Sequence, residues 1–472
     1  MNLFMNEEGP LKRMGVARTT RSEFSTLSKR TSDPSLRMHF PFLRHTPHPL
    51  QSSMSRADKS INTASHPLSL HSSTKAPQRA WVQPEVFPLA QRTVTFTDII
   101  YPTSVFIIFT RYTRTMDMDG DFLKVRAMNF PRSIMLGHGV IQQTADICRS
   151  LLFGHEGLIV TGGQTYDAAG KLVEDQMTDA GFSMSKVFVG GTDQENIDKA
   201  IEAARKSDAK FVLAIGGGSK IDISKMVAKE TGLPFVSIPT SVAHDGICSD
   251  RASIKTKEGA PLTVTATPPT AIIGDTEIIV KAPYRYLASG CADVISNLTA
   301  LNDWDFARKI RDEEFSSSAY ALSKYSAESI MKAAPVIRPG VEESVWYVLK
   351  PVVASGTSMC IAGTSRPTSG SEHMFSHALD LLHPSKAMHG EQCGVGCIMM
   401  MHLQGGNWKQ IRDALKQIGA PTTAAELGIS ESDVIDALVA ANKVRKERFT
   451  VLGETGLTRN AAINLARTTG VI

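Results

Sequence analysis

From Phe130 onward, apolar and polar positions alternate with regular spacing. Ser133–Leu136 reads as a short strand, and Gly157-Leu-Ile-Val-Thr-Gly-Gly as a buried strand ending in a glycine turn. Helical spacing follows over Ala168–Ala180, then a strand at Lys186–Val189 and a helix from about Gln194 to Ser207. Phe211-Val-Leu-Ala-Ile is the next buried strand. It runs into Gly216-Gly217-Gly218-Ser219 and a helix over Lys220–Glu230, and Phe235-Val-Ser-Ile-Pro closes the series. Apolar strands alternating with helices predict a parallel sheet covered on both faces. Residues 252–280 predict an antiparallel excursion with Lys257-Glu-Gly-Ala-Pro as its turn. Beyond Tyr284 strand signals nearly vanish. Helical spacing covers Ser289–Arg308, Ser317–Ala334, Val341–Met359, Ser369–Leu382 and Ser432–Phe449. The predicted architecture is an α/β domain with a Rossmann-like parallel sheet over 118–283, then an all-α domain over 284–472, with a cleft between them.

Upstream the pattern breaks down. The 472-residue chain is 42% hydrophobic and 21% charged with a net charge of +4, an ordinary globular balance. That total hides a split: residues 1–115 carry fifteen Lys/Arg against seven Asp/Glu, whereas the rest carries 36 against 40. Ser/Pro/Arg-biased runs such as Ser53-Met-Ser-Arg-Ala-Asp-Lys-Ser cannot bury enough apolar surface to offset chain entropy. Residues 1–117 are therefore expected to be a disordered or dispensable extension, with Met116 or Met118 as the expected start of the working protein. The apolar stretch Ile99–Phe109 is about half a bilayer span and contains Pro102. Neither a transmembrane segment nor a secretory signal is recognisable. A cytoplasmic location without nucleic-acid partners is expected. The competing reading makes the basic arm a polyanion tether on an inert body.

Three segments carry candidate chemistry. Glycines 216–218 lie between a buried strand and a helix, where missing Cβ atoms and helix-terminal amides can receive a pyrophosphate; a tight turn without ligand is the alternative. Neither a Gly-x-x-x-x-Gly-Lys-Ser/Thr loop nor a Gly-x-Gly-x-x-Gly after the first strand is present. Pro239-Thr240-Ser241-Val242-Ala243-His244-Asp245-Gly246, continuing to Ser249 and Asp250, follows a core strand where open α/β sheets place ligands. Third, eight histidines fall after residue 115, and four of them, His373, His377, His383 and His389, lie within seventeen residues. On a helix His373 and His377 share a face, a spacing that suits zinc, nickel or iron(II). Asp293, in the apolar run Gly290-Cys-Ala-Asp-Val-Ile, is a candidate third ligand because a buried carboxylate needs a strong partner. The six cysteines contain no Cys-x-x-Cys pair and read as reduced packing residues, including Cys393 and Cys397 near His389.

Gly216-Gly-Gly-Ser-Lys-Ile-Asp-Ile-Ser-Lys225 resembles the Gly-Gly-Gly-Ser-x-x-Asp-x-x-Lys signature of the iron-type alcohol dehydrogenase and dehydroquinate synthase superfamily. Within it, Pro239-Thr-Ser-x-Ala-His-Asp-Gly, the segment ending at Asp293, Glu372-His-x-x-x-His and Met388-His-Gly-Glu resemble the archaeal sn-glycerol-1-phosphate dehydrogenases. The resemblance spans about three quarters of the chain.

It implies an NAD- or NADP-dependent interconversion of glycerone phosphate and sn-glycerol 1-phosphate, the backbone of archaeal ether lipids, by a homo-oligomer. It assigns cofactor contacts to Gly216, Gly217, Gly218, Ser219, Lys220, Ile221, Asp222, Thr240, Ser241, Val242, Ala243 and Ser249. Asp245 and Asp293 would contact substrate, and Asp245 and His377 would be catalytic, with His377 facing substrate in the proton path. Asp293, His373 and His389 would hold one divalent metal, zinc favoured over nickel or iron, and this replaces the His373–His377 pairing. Glycerol dehydrogenase, with the same fold and metal triad, is the competing activity. The extra Lys/Arg pattern of a dehydroquinate synthase is not found. The choice between NAD and NADP hinges on the ribose pocket near Thr161–Gly163, where no acidic residue stands at the strand end.

Overall fold

A computed structural model describes residues 127–256 and 261–472. The expectations for residues 1–117, and for the turn at Lys257, lie outside the described residues.

Six strands form the main sheet: β1 (Ser133–Gly137), β2 (Glu156–Thr161), β3 (Ser183–Phe188), β4 (Phe211–Gly216), β5 (Phe235–Pro239) and β8 (Ala271–Asp275). They pair in the order β1-β8-β5-β4-β2-β3, every pairing parallel. β4 is buried at all six positions, which is why its sequence is a continuous apolar run rather than an alternating one. Between β6 (Arg251–Lys255) and β7 (Pro261–Thr265) runs a separate antiparallel pairing.

The expected excursion over 252–280 therefore needs correcting at its far end. β8 is not part of a hairpin but a core strand between β1 and β5. Ala271-Ile-Ile-Gly-Asp is buried throughout, the signature of a strand covered on both faces, and β5 is accordingly interior rather than last.

Chain order reverses at β2. β3 lies on one side of it and β4 on the other, so the carboxyl ends of β2 and β4 flank the crevice where open α/β sheets bind ligands. Gly162 and Gly216–Gly218 sit at those two ends.

From Tyr284 every described element is helical. The helix Tyr284–Arg311 is 28 residues long and buried along most of Leu287–Ala307. It packs against the helices His389–Leu403 and Ser317–Ala333. Two glycines let it approach the loop after β5 and the helix His389–Leu403 closely. A Cβ at Gly290 would overlap the carbonyl of Val242 in the loop after β5, and one at Gly390 would overlap the carbonyl of Ser289. Glu342–Ala362 is long and apolar enough to cross a membrane (mean hydropathy 1.3), but 67% of that window is buried inside the protein. It packs against Ser317–Ala333 as a core helix does. All six cysteines are buried and free.

The sheet and the loop after β5 are joined by a buried ammonium group. Lys225, fully buried on the helix Gly218–Thr231, donates to Asp222 Oδ1 at 3.1 Å, the Gly246 carbonyl at 2.5 Å and the Arg251 carbonyl at 2.6 Å. Ser249 Oγ stands 3.2 Å away. The other oxygen of Asp222 accepts the Ser253 amide at 3.1 Å. Lys225→Met leaves the buried Asp222 carboxylate and the Gly246 and Arg251 carbonyls without their shared donor, so it should cost about 3–5 kcal/mol. Urea unfolding would show this as a lower midpoint at unchanged slope, and a midpoint close to that of the parent would contradict it.

Candidate active site

A cavity of about 290 Å3 opens between the strand ends and the helices. Gly218, Ser219, His244, Asp245 and Gly246 form its sheet side, and Asp293, His373, His377 and His389 face them.

Asp293 is the pivot. Its Oδ2 accepts the backbone amide of Asp245 at 3.1 Å, while its Oδ1 is buried with no hydrogen-bond partner. That bare oxygen faces His373 Nε2 at 3.7 Å and His389 Nε2 at 4.0 Å. Both imidazoles are held with Nε2 toward it. His373 Nδ1 lies 2.8 Å from Glu372 Oε1, which as a carboxylate can only accept, so the proton sits on Nδ1. The Glu372 carboxyl is fixed in turn by Thr299 Oγ1 at 2.7 Å and the Gly370 amide at 2.6 Å. His389 Nδ1 lies 3.1 Å from Ser376 Oγ, whose own proton goes to Gln392 Oε1 at 2.6 Å, so His389 also donates from Nδ1. Both Nε2 lone pairs thus point to the Asp293 side, with only the weak donor Cys393 Sγ near that of His389, at 3.6 Å. Burial lowers the pKa of both imidazoles, keeping them neutral.

This donor set fits a divalent cation. One carboxylate and two neutral imidazoles, their ligand atoms within 4.8 Å of one another, suit zinc, nickel or iron(II). Burial pushes both Asp293 and neighbouring Asp245 up to about 7, the latter further raised by the Asp293 charge. Two buried carboxyls so close to one another favour a nearby positive charge or a shared proton. Cys393 reaches the same group, its Sγ 3.6 Å from His389 Nε2. Burial holds its thiol well above the usual range, which favours a protonated packing residue.

His377 stands beside the group rather than in it. Its ring centroid is 6.4 Å from His373 and 5.7 Å from His389, whereas His373 and His389 are 4.9 Å apart. Two residues one turn apart share a helix face but project along different lines. His377 Nε2 is 3.4 Å from Arg445 Nη2 and so accepts from it. Asp245 Oδ2 accepts from Ser355 Oγ at 2.7 Å.

At the glycine corner the backbone does the work. Gly216 has φ of +153°, which L side chains rarely adopt, and a Cβ there would press on Lys220. Gly217 abuts Ser241 Oγ, and Thr240 donates its amide to the Gly216 carbonyl at 3.1 Å. Lys220 leans across the strand ends to the Gly190 carbonyl at 2.7 Å. The amides of Lys220 and Ile221 turn back to the Gly217 carbonyl, and the side chains of Ile221 and Val242 are buried in the core, so neither points its side chain at a ligand. Ala243 accepts from Ser289 Oγ at 3.1 Å. Asp222 and Ser249 line the cavity but are also tied to Lys225.

His244 is the residue that sequence reasoning passed over. A Cβ at Gly218 would overlap its imidazole, so the third glycine makes room for a histidine as well as for a ligand. Its Nδ1 accepts the Gly246 amide at 2.9 Å, and burial lowers it to about 4.

The comparisons with known proteins fall on this geometry. Residues 135–283 match the model of the iron-containing alcohol dehydrogenases. A protein of Methanosarcina mazei named glycerol-1-phosphate dehydrogenase [NAD(P)+] is 49% identical over 345 residues, 73% of this chain and 96% of that one. Its namesake in Methanothermobacter thermautotrophicus is 49% identical over 347 residues, 74% of this chain and 99% of the other. The chain belongs to the glycerol-1-phosphate dehydrogenase family. Among solved structures, a probable glycerol dehydrogenase of Sinorhizobium meliloti superposes with a TM-score of 0.61 at 19% identity, covering 74% of this chain and all of its own. Sulfoacetaldehyde reductase of Bifidobacterium kashiwanohense, solved with NAD+, gives 0.58 at 19%, covering 73% of this chain and 98% of its own. At that identity the likeness is one of fold.

Two variants separate the two halves of the site. His389→Ala should reduce bound metal from about one equivalent to near zero by elemental analysis while leaving NADH affinity within about threefold; retention of a full equivalent would refute the assignment. Gly218→Val should weaken NADH binding at least about tenfold, with metal content unchanged as evidence that the chain still folds.

Proposed function

We propose that this chain reduces glycerone phosphate to sn-glycerol 1-phosphate, and catalyses the reverse, by hydride transfer with a nicotinamide dinucleotide. The observation that carries the reading is the meeting of Asp293, His373 and His389 beside a glycine corner, in a chain nearly half identical to the glycerol-1-phosphate dehydrogenases over almost their full length. The product is the glycerophosphate from which ether-linked lipids are built.

In this reading residues 118–283 hold the dinucleotide and residues 284–472 the metal and substrate. A divalent cation on Asp293, His373 and His389, zinc in preference to nickel or iron, supplies Lewis acidity toward the substrate carbonyl. The bound dinucleotide, NAD or NADP, supplies the hydride.

The remaining steps belong to the chain. The first amides of the helix Gly218–Thr231 point toward the crevice and receive the diphosphate. Thr240, Ser241 and Ser249 flank it. Thr161 Oγ1, at the end of β2, is engaged with Thr165 Oγ1 at 2.9 Å. Thr161-Gly162-Gly163 at that strand end carries no acidic residue to repel a 2′-phosphate, which supports acceptance of both dinucleotides. Ser355 holds one oxygen of Asp245, leaving the other to take a substrate hydroxyl. Arg445 donates to His377 Nε2, so the neutral ring carries its proton on Nδ1. From there it relays a proton to the developing alcohol through the adjacent hydroxymethyl group or a water. Six buried free cysteines support a reducing compartment, and we assign the protein to the cytoplasm.

The test is NADH and NADPH oxidation with glycerone phosphate, before and after chelation, with chiral analysis of the product. Turnover should be lost on chelation and return with a divalent metal. It should exceed that of dihydroxyacetone by about a hundredfold or more, because charge-assisted contacts to a phosphate are worth several kcal/mol. Equal or better turnover of the unphosphorylated pair would establish a glycerol dehydrogenase instead.

A further inference from the structure

Arg445 and Arg448 lie just past the helix Glu431–Val444, and beyond the contact of Arg445 with His377 the proposed steps give them no role. Arg445 lines the cavity beside Asp293, and both arginines line an adjoining recess of about 360 Å3 together with Arg251, Thr263, Ser365 and Glu447. Other arginines near the site have carboxylate partners. Arg251 is paired with Asp250 at 3.2 Å, Arg285 with Glu391 at 2.5 Å, and Arg366 with Glu313. For Arg445 and Arg448 no carboxylate lies within ion-pair distance among the described residues. Their partners are neutral. Arg445 Nη2 meets Thr263 Oγ1 at 2.8 Å and His377 Nε2 at 3.4 Å. Arg448 Nη2 meets Ser365 Oγ at 2.8 Å, and its Nη1 meets the Ser369 carbonyl.

Two half-buried guanidinium groups on one wall, neither in ion-pair contact with a carboxylate, are costly. Burial, followed by repulsion from Arg445 and Arg366, lowers Arg448 to about 9 against the smaller attraction of Glu372 and Glu313. Burial lowers Arg445 as well, with Arg251 adding to the effect and only Glu447 opposing it. A protein that maintains this arrangement has a use for an anion there. The geometry suits a phosphate monoester. A guanidinium offers five donors in a planar fork, and Arg445 spends one nitrogen on protein partners. The hydroxyls of Thr263 and Ser365 complete a mixed charged and neutral cradle. The position is also right. His377, whose centroid is 5.7 Å from that of His389, touches Arg445, so one ring borders both the metal-ligand group and the arginine wall.

We propose that Arg445, backed by the charge of Arg448 and by the hydroxyls of Thr263 and Ser365, is the subsite for the substrate's phosphate group and the element that selects glycerone phosphate over dihydroxyacetone. The proposal rests on the glycerol-phosphate reading above and names the residues that give it its selectivity. Arg445 makes the contact. Arg448, anchored to Ser365 and the Ser369 carbonyl, supplies a second charge and holds the segment in place.

The experiment uses the full-length, metal-loaded chain and compares kcat/KM for glycerone phosphate and dihydroxyacetone in the parent, Arg445→Gln and Arg445→Lys. Inorganic phosphate serves as a competitive probe. The ratio of the two kcat/KM values should fall at least about thirtyfold in Arg445→Gln, chiefly through KM for the phosphorylated substrate, whatever loss both substrates share through His377. Arg445→Lys keeps the charge without the fork and should fall by about tenfold. Inhibition by inorganic phosphate should weaken in parallel. NADH affinity and metal content, both unchanged, certify folding; should Arg445→Gln fail that check, the lysine variant carries the test alone. A ratio within about threefold of the parent in a folded variant, or undiminished phosphate inhibition, overturns the subsite while leaving the proposed activity intact. Failure of the activity reads differently: the parent would not prefer glycerone phosphate, yet inorganic phosphate would still depend on Arg445.

Discussion

A single buried oxygen, Asp293 Oδ1, organises this protein. A carboxylate in a dry interior is tolerated only when its charge is met, and the fold meets half of it: Oδ2 takes the Asp245 amide, and Oδ1 takes nothing. The missing half is defined by what faces it, two imidazoles whose protons have been drawn away to Glu372 and Ser376 so that their lone pairs converge. None of these choices makes sense as stability engineering. Glu372 is fully buried, and burial raises its pKa. Held next to a histidine, it earns its place by orienting a ligand.

The same oxygen pair ties the sheet to the helices. The loop after β5 is gripped from beneath by Lys225, which fastens the Gly246 and Arg251 carbonyls, and from above by Ser289, Asp293 and Ser355. Close approach is secured by glycines on the helical side: Gly290 lets the Val242 carbonyl in, and Gly356 does the same for that of Asp245. The glycine corner and the Asp293 group are thus held to one short segment, residues 242–251, that neither half could position alone. Precise placement of that kind is what hydride transfer demands, since a reacting carbon and its donor must meet at near contact.

Most of the sheet was legible in the sequence because β2 and β4 are uninterrupted apolar runs that few other structures would tolerate. β8 was not, since five apolar residues after a Thr/Pro-rich stretch look the same whether they end a hairpin or enter a core; only pairing with β1 and β5 decides. Asp293 could be picked out as a charge inside an apolar helix. The i, i+4 spacing of His373 and His377 pointed instead to the wrong pair as geometry has it: the ring nearer to His373 is His389, from a different helix. Helical periodicity reports which face a residue occupies, not where its ring atoms end. His244 and Arg445 were hidden for a related reason. One lies within a recognisable loop but acts through contact with a distant glycine. The other belongs to Lys443-Val-Arg-Lys-Glu-Arg, which reads as an ordinary solvated helix end; of its charged side chains the fold half-buries only Arg445 and Arg448, on the recess wall.

Handedness follows from this layout. A ketone is flat, and its two faces are equivalent to any site that grips it at a single point. In the proposed reading, a carbonyl oxygen directed to the Asp293–His373–His389 group and a phosphate directed to Arg445 would fix glycerone phosphate along one line and leave it free to turn about it. Asp245 would remove that freedom. Its carboxylate is locked by Ser355 and its amide is joined to Asp293, so its second oxygen would be left for the free hydroxymethyl group. Three such attachments would leave a single face of the carbonyl toward the glycine corner. Hydride from a dinucleotide lying across Gly216–Gly218 would then create one enantiomer of glycerol phosphate, and stereochemistry would be a property of the loop after β5 as much as of Asp293, His373 and His389.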